Sequence, residues 1–366
     1  MVPAGTRSRR AVRIAFAIVA VAALIEGSVR LLGKSGLLAL PMTTHGSAFW
    51  DSDHSLFGVW HQPGMSIVHR TDCFEVEYVT NSIGARDAER TLESKSPRVI
   101  VLGDSFVEGW GIDASERLTD QLESRTGIEH INLGMSHFGP YQAYLAYREF
   151  GPVYQHDAVI LAVVPVSDLS DLDYQRARKS PGYEYRYRPY LVGRYPDYRE
   201  VDYREGTLNR WLRRHSGAYN AMSRSLQTAR KTFAAEPPPS ETTPKPTHSF
   251  FQDYSERQLD LLVGSIELLA ESAGKRPVSV ILVPQMRDLI RFHEERTSRL
   301  GKRLQERVAD EGVVVVDLLP EFYARRDDLT RYFLPCDIHW TGVANEVAAD
   351  VLLEHRPSAR NGEPRR

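Results

Sequence analysis

The sequence predicts an α/β protein built on a doubly wound, mostly parallel sheet of five strands. Five short runs rich in β-branched residues recur between residues 98 and 316, and segments with apolar residues at helical spacing separate them. This alternation is typical of a parallel sheet with right-handed crossovers and helices on both faces. With 366 residues, 42% of them hydrophobic, the chain can bury a full core.

The predicted strands are short runs that are mostly apolar, apart from the run at 130–133 (HINL), and this pattern is typical of strands buried on both faces. They are expected at 98–102, 130–133, 158–164, 278–283 and 313–316. Helical periodicity predicts helices at 141–150, 255–273 and 288–310, and a further helix beginning around Gly342.

The N-terminal segment 1–40 predicts a signal anchor. Four arginines between residues 7 and 13 precede an apolar run at 14–25, which is the charge order of an export signal. A small-residue cleavage pattern at Ala20 and Ala22 leaves a cleaved, secreted form as the alternative. Cutting there would leave too short an apolar region, so a single-pass anchor with an extracytoplasmic domain is favoured.

The rest of the chain divides by composition. The predicted parts are an extension at 41–96 with a half-buried strand at 73–80, a main domain at 97–355 with an insertion at 172–250, and a disordered tail at 356–366. The insertion begins rich in Tyr and Arg and contains a Pro-rich loop at 236–246. Its Tyr/Arg part is either a sugar-binding surface or a solvated excursion packed on the domain.

Charge and cysteine content exclude several classes. The formal net charge is -2, so the chain offers no basic field for nucleic acid. The histidines lack metal-ligand spacing, and we expect neither a metal nor another cofactor. Cys73 and Cys336 are too few for a disulfide scaffold, and either one bridge or two separate thiols is compatible with an exported chain.

Candidate catalytic residues follow the first and last strands. Ser105 comes directly after Gly103 and Asp104, where a sharp turn into a helix would present its hydroxyl; a helix cap is the alternative interpretation. His339 could take the proton from Ser105, and Asp337 could hold the imidazole in the required tautomer. Because strand ends meet at one rim of such a sheet, these three residues predict a serine nucleophile with its base and orienter.

An acyl-transfer site also needs donors for the oxyanion. The Ser105 N–H is one candidate. The second and third strands are followed by Gly134, whose N–H could approach a substrate closely, and by Ser167, whose hydroxyl could donate. Together with Asp104, they form the predicted oxyanion or substrate-binding set.

These residues resemble the motif blocks of the SGNH, or GDSL-type, hydrolase family, in the same order. Ser105 lies in the nucleophile block, Gly134 in the glycine block, and Asp337 with His339 in the terminal block. The likeness extends to a membrane-anchored branch associated with modification of extracytoplasmic polysaccharides, through the segments 81–86 (NSIGAR), 103–111 (GDSFVEGWG), 132–142 (NLGMSHFGPYQ) and 337–341 (DIHWT). One position departs: Ser167 precedes Asp168 where the family usually has Asn.

The resemblance implies a three-layer α/β/α, flavodoxin-like fold and a serine esterase that removes O-acyl groups, most simply acetyl, from an extracytoplasmic glycan through an acyl-enzyme on Ser105. An O-acetyltransferase would use the same triad. A catalytically weak, glycan-binding subunit of envelope polysaccharide machinery is a third expectation, because Ser167 has a shorter reach than Asn.

Overall fold

The structure is a computed structural model, and it describes residues 4–34, 49–179, 186–233, 247–325 and 329–355. The predicted Pro-rich loop at 236–246 and the predicted tail at 356–366 lie outside these residues, as do parts of the predicted segments 1–40 and 41–96.

The strands and helices are numbered in chain order. The strands are β1 (Trp50–His54), β2 (Gly58–His61), β3 (Ser66–Arg70), β4 (Glu75–Val79), β5 (Arg98–Gly103), β6 (Glu129–Gly134), β7 (Ala158–Val163), β8 (Pro189–Arg194), β9 (Asp197–Asp202), β10 (Val278–Leu282) and β11 (Val314–Asp317). The helices are α1 (Ala4–Lys34), α2 (Ser105–Glu108), α3 (Leu118–Thr126), α4 (Pro140–Phe150), α5 (Pro165–Asp171), α6 (Tyr174–Lys179), α7 (Thr207–His215), α8 (Gly217–Phe233), α9 (Glu256–Ala273), α10 (Met286–Glu295), α11 (Arg299–Val308), α12 (Leu318–Ala324) and α13 (Gly342–Glu354).

The central sheet has five strands in the order β11-β10-β7-β5-β6, and every neighbouring pair is parallel. Numbered within the sheet, this is the flavodoxin-like order 2-1-3-4-5. The predicted α/β fold and its five sheet strands are therefore confirmed. The chain reverses its direction of winding at β5, which pairs with β6 on one side and β7 on the other.

Helices cover both faces of this sheet. α9 packs against α4 and α11, whereas α13 packs against α3 and α12. β5 is almost completely buried, with Ile100, Val101 and Leu102 at 0% exposure. The continuous apolar runs therefore lie between two helical layers, as the sequence predicts.

The predicted helix at 288–310 is wrong in one respect, because two helices, α10 and α11, occupy this region. Arg296 ends α10 in the left-handed conformation, with φ of 55°, and its N–H donates to Phe292 O. No Gly or Pro marks this break, and apolar residues continue at helical spacing beyond it, so periodicity alone joins the two helices.

Two antiparallel hairpins precede the main sheet: β1 pairs with β2, and β3 pairs with β4. The predicted strand at 73–80 is β4. Tyr78 of β4 is fully buried, accepts a hydrogen bond from Gly111 N at 3.0 Å and lies under the guanidinium of Arg86. The second hairpin thus supports the segment that follows α2.

The chain splits into two compact units. The smaller comprises 1–46 and 204–243, and the larger comprises 47–203 and 244–366. The predicted insertion at 172–250 is therefore divided between them: β8 and β9 belong to the larger unit and α7 and α8 to the smaller.

In the smaller unit, α1 contains a stretch from Val12 to Leu32 that is long and apolar enough to cross a membrane, with a mean hydropathy of 2.0. Within the same unit, α1 contacts α8.

Candidate active site

Ser105 is the first residue of α2, directly beyond the carboxyl end of β5. Asp104 caps this short helix by accepting a hydrogen bond from Phe106 N at 3.0 Å. A Cβ on Gly103 would lie 2.6 Å from a methyl carbon of Val107, so only glycine lets the strand turn this closely into the helix. The half-buried Ser105 side chain therefore stands at the rim of the sheet.

The structure brings Ser105, His339 and Asp337 together. Ser105 Oγ lies 2.7 Å from His339 Nε2, and His339 Nδ1 lies 2.5 Å from Asp337 Oδ1. The Asp337 carboxylate also accepts from the His339 backbone N–H at 3.2 Å. With Nδ1 protonated toward Asp337, Nε2 is an acceptor that can take the proton of the Ser105 hydroxyl.

Asp337 is suited to stay ionised. Burial works to raise the pKa of its carboxyl, but the hydrogen bonds and charge of His339, with a hydrogen bond from Trp110, lower that pKa below its ordinary value. The side chains of Asp337 and His339 retain 22% and 15% exposure, so solvent reaches the pair. An ionised Asp337 can stabilise an imidazolium formed on His339.

Trp110 lies in the site, although the sequence analysis did not predict a role for it. Its Nε1 donates to Asp337 Oδ2 at 3.1 Å, and its ring lies 5.6 Å from that of His339. Phe106 contacts the same imidazole, with ring centroids 4.9 Å apart. The motif at 103–111 includes Trp110, but sequence spacing does not reveal that its indole reaches a residue 227 positions away.

The loop that carries Asp337 and His339 is held at several points. Cys336 forms a disulfide with Cys73, with 5.6 Å between Cα atoms, so the structure joins the two cysteines that the sequence left open. The backbone N–H of Leu334 donates to His339 O at 2.9 Å. Immediately after the triad, Trp340 Nε1 donates to Pro284 O at 3.1 Å. These contacts fix the base relative to the sheet.

The N–H of Gly134, a predicted oxyanion donor, has a hydrogen-bond partner within the protein. It donates to Asn132 Oδ1 at 2.9 Å. A Cβ on Gly134 would lie 2.4 Å from Glu108 N and 2.6 Å from Val107 Cβ. The reason for glycine here is the close packing of α2 on β6, and its N–H already has a partner.

Ser167 lies in the first turn of α5, beside Asp104. Its hydroxyl is 3.3 Å from Asp104 Oδ2 and 3.2 Å from Val164 O, and it donates to these acceptors. The single hydroxyl proton is therefore committed to groups of the protein. Of the predicted donors, the Ser105 N–H remains at the start of a helix, where helical geometry provides no acceptor.

Asp104 and Asp168 are a pair of buried carboxyls near Ser105. Burial raises the pKa of Asp104 to about 6. Burial and the charge of Asp104 raise the pKa of Asp168 well above its ordinary value. Asp168 accepts from Val164 N at 2.7 Å through one oxygen, while its other oxygen is buried without a hydrogen-bond partner. This pair holds a proton more readily than two solvated carboxyls would.

Glu108, the last residue of α2, connects this helix to the N-terminal extension. Its two carboxylate oxygens contact His61 Nε2 at 3.1 Å and Ser136 N at 2.5 Å. Burial works to raise the pKa of Glu108, but His61, Ser136 and Arg86 lower it to about 2. A buried, ionised Glu108 thus holds the C-terminal end of α2 against His61 and Ser136.

Across the described ranges, no group of three or more His, Cys, Asp or Glu side chains is arranged to hold a metal ion.

No protein-family model matches the chain, and no curated protein matches it. Among solved structures, it is similar to a member of the lipolytic protein G-D-S-L family from Veillonella parvula, with 12% identity and a TM-score of 0.39, covering 71% of this chain and 98% of that one. It is also similar to the lipase/acylhydrolase from Enterococcus faecalis, with 11% identity and a TM-score of 0.39 over 71% and 94% of the two chains.

A third similar structure is the family 3 carbohydrate esterase of Clostridium thermocellum, with 10% identity and a TM-score of 0.37 over 71% of this chain and 94% of that one.

Proposed function

We propose that this chain is a serine esterase that hydrolyses O-acyl groups, with Ser105 as nucleophile, His339 as base and Asp337 as orienter. The observation that carries the proposal is the 2.7 Å contact between Ser105 Oγ and His339 Nε2, with Asp337 on the far nitrogen of the same imidazole. A serine that only capped a helix would have no need of this aligned base.

In the proposed mechanism, Ser105 Oγ attacks the ester carbonyl carbon while its proton passes to His339 Nε2. The bond to the alcohol oxygen then breaks, His339 returns the proton to that oxygen, and the acyl group remains on Ser105. Water attacks the acyl-enzyme and gives a proton to His339. The bond between the acyl carbon and Ser105 Oγ then breaks, His339 returns the proton to Oγ, and the carboxylic acid leaves.

The proposed substrate is an O-acetylated glycan outside the cytoplasm, and the proposed location is a single-pass anchor with an extracytoplasmic domain. Support comes from the resemblance of the segments 81–86, 103–111, 132–142 and 337–341 to the membrane-anchored branch of SGNH proteins. The apolar stretch from Val12 to Leu32 supports the anchor.

The hydrogen-bond partners of the predicted oxyanion donors favour slow ester hydrolysis. Because the Gly134 N–H and the Ser167 hydroxyl both have protein partners, the oxyanion receives fewer donors than the sequence predicts. Fewer donors slow attack by water and by a sugar hydroxyl alike, so an O-acetyltransferase with the same triad would depend on binding a sugar acceptor and excluding water. Loss of turnover altogether would leave a glycan-binding subunit.

The test is fluorophosphonate labelling of the purified protein and of Ser105→Ala, together with release of acetate from p-nitrophenyl acetate. We expect labelling and turnover in the wild type and neither in the variant. Adding acetylated glycans, with and without a sugar acceptor, separates hydrolysis from transfer. A wild type that neither labels nor turns over acetyl ester, while folded by circular dichroism, contradicts the enzymatic proposal.

A further inference from the structure

The smaller unit contains a contact between the apolar helix α1 and the corner that joins α7 to α8. Glu26 of α1 accepts hydrogen bonds from Ser216 Oγ at 2.8 Å, Gly217 N at 2.8 Å and Ala218 N at 3.0 Å. The two N–H groups belong to the first turn of α8, which has no helical acceptors for them. Glu26 is thus a cap supplied from another helix.

Arg30, one turn further along α1, holds the other side of the same corner. Its guanidinium pairs with Glu26 at 2.6 Å and also donates to His215 O, the last residue of α7, at 2.6 Å. A carboxylate therefore faces the positive end of α8, and a guanidinium faces the negative end of α7. This complementarity indicates a built attachment between the corner and α1.

The attachment lies in the last two turns of the apolar stretch. Glu26 and Arg30 are four residues apart, and the stretch ends at Leu32. At 1.5 Å rise per residue, Glu26 is about 9 Å from that end. With the arginine-rich N-terminus on the cytoplasmic side, the corner lies in the outer leaflet, about as deep as an interfacial helix buries its apolar face.

α7 and α8 expose apolar side chains next to this attachment. Leu208 and Trp211 of α7 are 71% and 57% exposed, and Met222 and Leu226 of α8 are 57% and 53% exposed. Each pair is spaced by three or four residues and so occupies one helical face. On α7 the opposite face carries Arg213, which pairs with Glu205.

We propose that α7 and α8 form a membrane-contacting surface, with Leu208, Trp211, Met222 and Leu226 in the outer lipid interface and the corner fixed at that depth by Glu26 and Arg30. The partner is the bilayer, because α7 and α8 are attached to the stretch that the anchor places in lipid. Tryptophan at this level can bury its ring and keep its N–H hydrated. The inference rests on the proposed anchor and does not depend on esterase activity.

The test uses the full chain in liposomes made with or without lipids brominated near the headgroup, read by tryptophan fluorescence. Trp211 is one of five tryptophans. We expect brominated lipid to reduce the wild-type emission by up to the share of one tryptophan, and this loss to disappear in Trp211→Phe. The matched control is Trp110→Phe, which also retains four tryptophans and should be quenched as the wild type is.

A second variant tests the attachment. Glu26→Ala should remain in the membrane pellet after carbonate extraction but lose the Trp211 quenching, because α1 no longer caps α8. Equal quenching of wild type and Trp211→Phe would overturn the proposed surface, as would a Trp211 emission per molecule that changes with protein concentration but not with brominated lipid. Carbonate extraction of the wild type tests the anchor separately, and acetyl ester hydrolysis tests the proposed enzyme.

Discussion

At the scale of single residues, the two oxygens of Asp337 have different partners. Oδ1 contacts His339, and Oδ2 accepts from the Trp110 indole. A carboxylate held by one bond could rotate about its side-chain torsions, whereas one held at both oxygens presents a fixed edge to the imidazole. Trp110 is therefore a positioning residue that acts on the base through Asp337.

Trp110→Phe should retain most of the ring contact with His339 while removing the donor to Asp337. Hydrogen bonds to charged groups contribute roughly 1.5–3 kcal/mol, so we expect kcat/KM for p-nitrophenyl acetate to fall about tenfold or more. Trp110 helps to lower the Asp337 pKa, so activity should also begin to fall at higher pH on the acid side of the profile.

The matched control is Trp211→Phe, an exposed tryptophan of the smaller unit, which should leave kcat/KM unchanged. Unchanged kcat/KM and an unchanged pH profile in Trp110→Phe would show that the indole only fills space.

Asp317 gives a pH-dependent contribution to stability away from the triad. It caps α12 by accepting from Leu319 N at 3.0 Å, and burial raises its pKa from 3.8 to about 6. The folded state therefore binds this proton more tightly than the unfolded chain does. Its contribution to stability is full below pH 3.8 and is lost as pH rises toward about 6.

Asp317→Asn retains a capping side chain without the titration. We expect the free energy of unfolding to depend less on pH between 4 and 6.5 in this variant than in the wild type, with a difference of at most about 3 kcal/mol. Urea unfolding at several pH values measures it. Parallel pH profiles for the two proteins would contradict the assignment.

The proximity of Ser105, Asp337 and His339 could be predicted from the sequence because each residue follows a recognisable strand end or motif. The hydrogen-bond partners of the Gly134 N–H and the Ser167 hydroxyl could not, since they depend on where the side chains of Asn132 and Asp104 lie. Residue type indicates that a donor exists, but not which acceptor it already has.

At the scale of elements, α2 determines the position of Ser105, its first residue. This four-residue helix packs directly on the end of β6, where Gly134 lies against the backbone of Glu108. Its position therefore depends on a close approach of two backbones, and not on the length or propensity of the helix itself. The sequence also does not show that α10 and α11 are separate helices. Hydrophobic periodicity predicts which face of a helix is buried, but it does not predict the break at Arg296.

Gly134→Ala should displace α2, because the new methyl group would lie 2.4 Å from Glu108 N. Overpacking of this kind costs roughly 1–3 kcal/mol, and the shift should also lengthen the contact between Ser105 and His339. We expect a lower melting temperature and a larger loss of kcat/KM than stability alone explains.

The matched control is Gly206→Ala, where a Cβ meets nothing within 4 Å and the backbone φ is -61°. This variant should melt close to the wild type. If Gly134→Ala matches Gly206→Ala in both measurements, the close packing of α2 on β6 is not what positions Ser105.

At the scale of the whole molecule, one disulfide joins the early hairpin to the loop of the base. Cys73 and Cys336 are 263 positions apart in sequence, so the bridge closes most of the chain into a loop. Such closure stabilises mainly by restricting the unfolded chain. Here the bridge also ties Cys336, the residue directly before Asp337, to the early hairpin.

The double variant Cys73→Ala/Cys336→Ala should lose roughly 2–5 kcal/mol of stability and a part of its kcat/KM. Denaturant unfolding and acetyl ester hydrolysis measure the two losses. Dithiothreitol should lower the stability and the kcat/KM of the wild type toward those of the variant, and it should leave both quantities unchanged in the variant. A variant as stable and active as the oxidised wild type would show that the other contacts of the loop suffice.

The parallel sheet follows from alternating strands and helices and could be predicted from the sequence, whereas its flavodoxin-like strand order was implied by the family resemblance. The pairing of Cys73 with Cys336 could not, because it depends on where a hairpin outside the sheet comes to rest. The attachment of α7 and α8 to α1 was equally hidden, since Glu26 within an apolar run gives no sign of its partners at 216–218.

The chain order of the triad has a consequence for the time course of synthesis. Ser105 and His339 are separated by 234 positions. At a translation rate of about 5–20 residues per second, the nucleophile leaves the ribosome roughly 12 to 47 seconds before its base. Throughout that interval the nascent chain carries a serine with no proton acceptor, so it cannot act on esters it meets. A product truncated before Asp337 could retain all five sheet strands and still be inert.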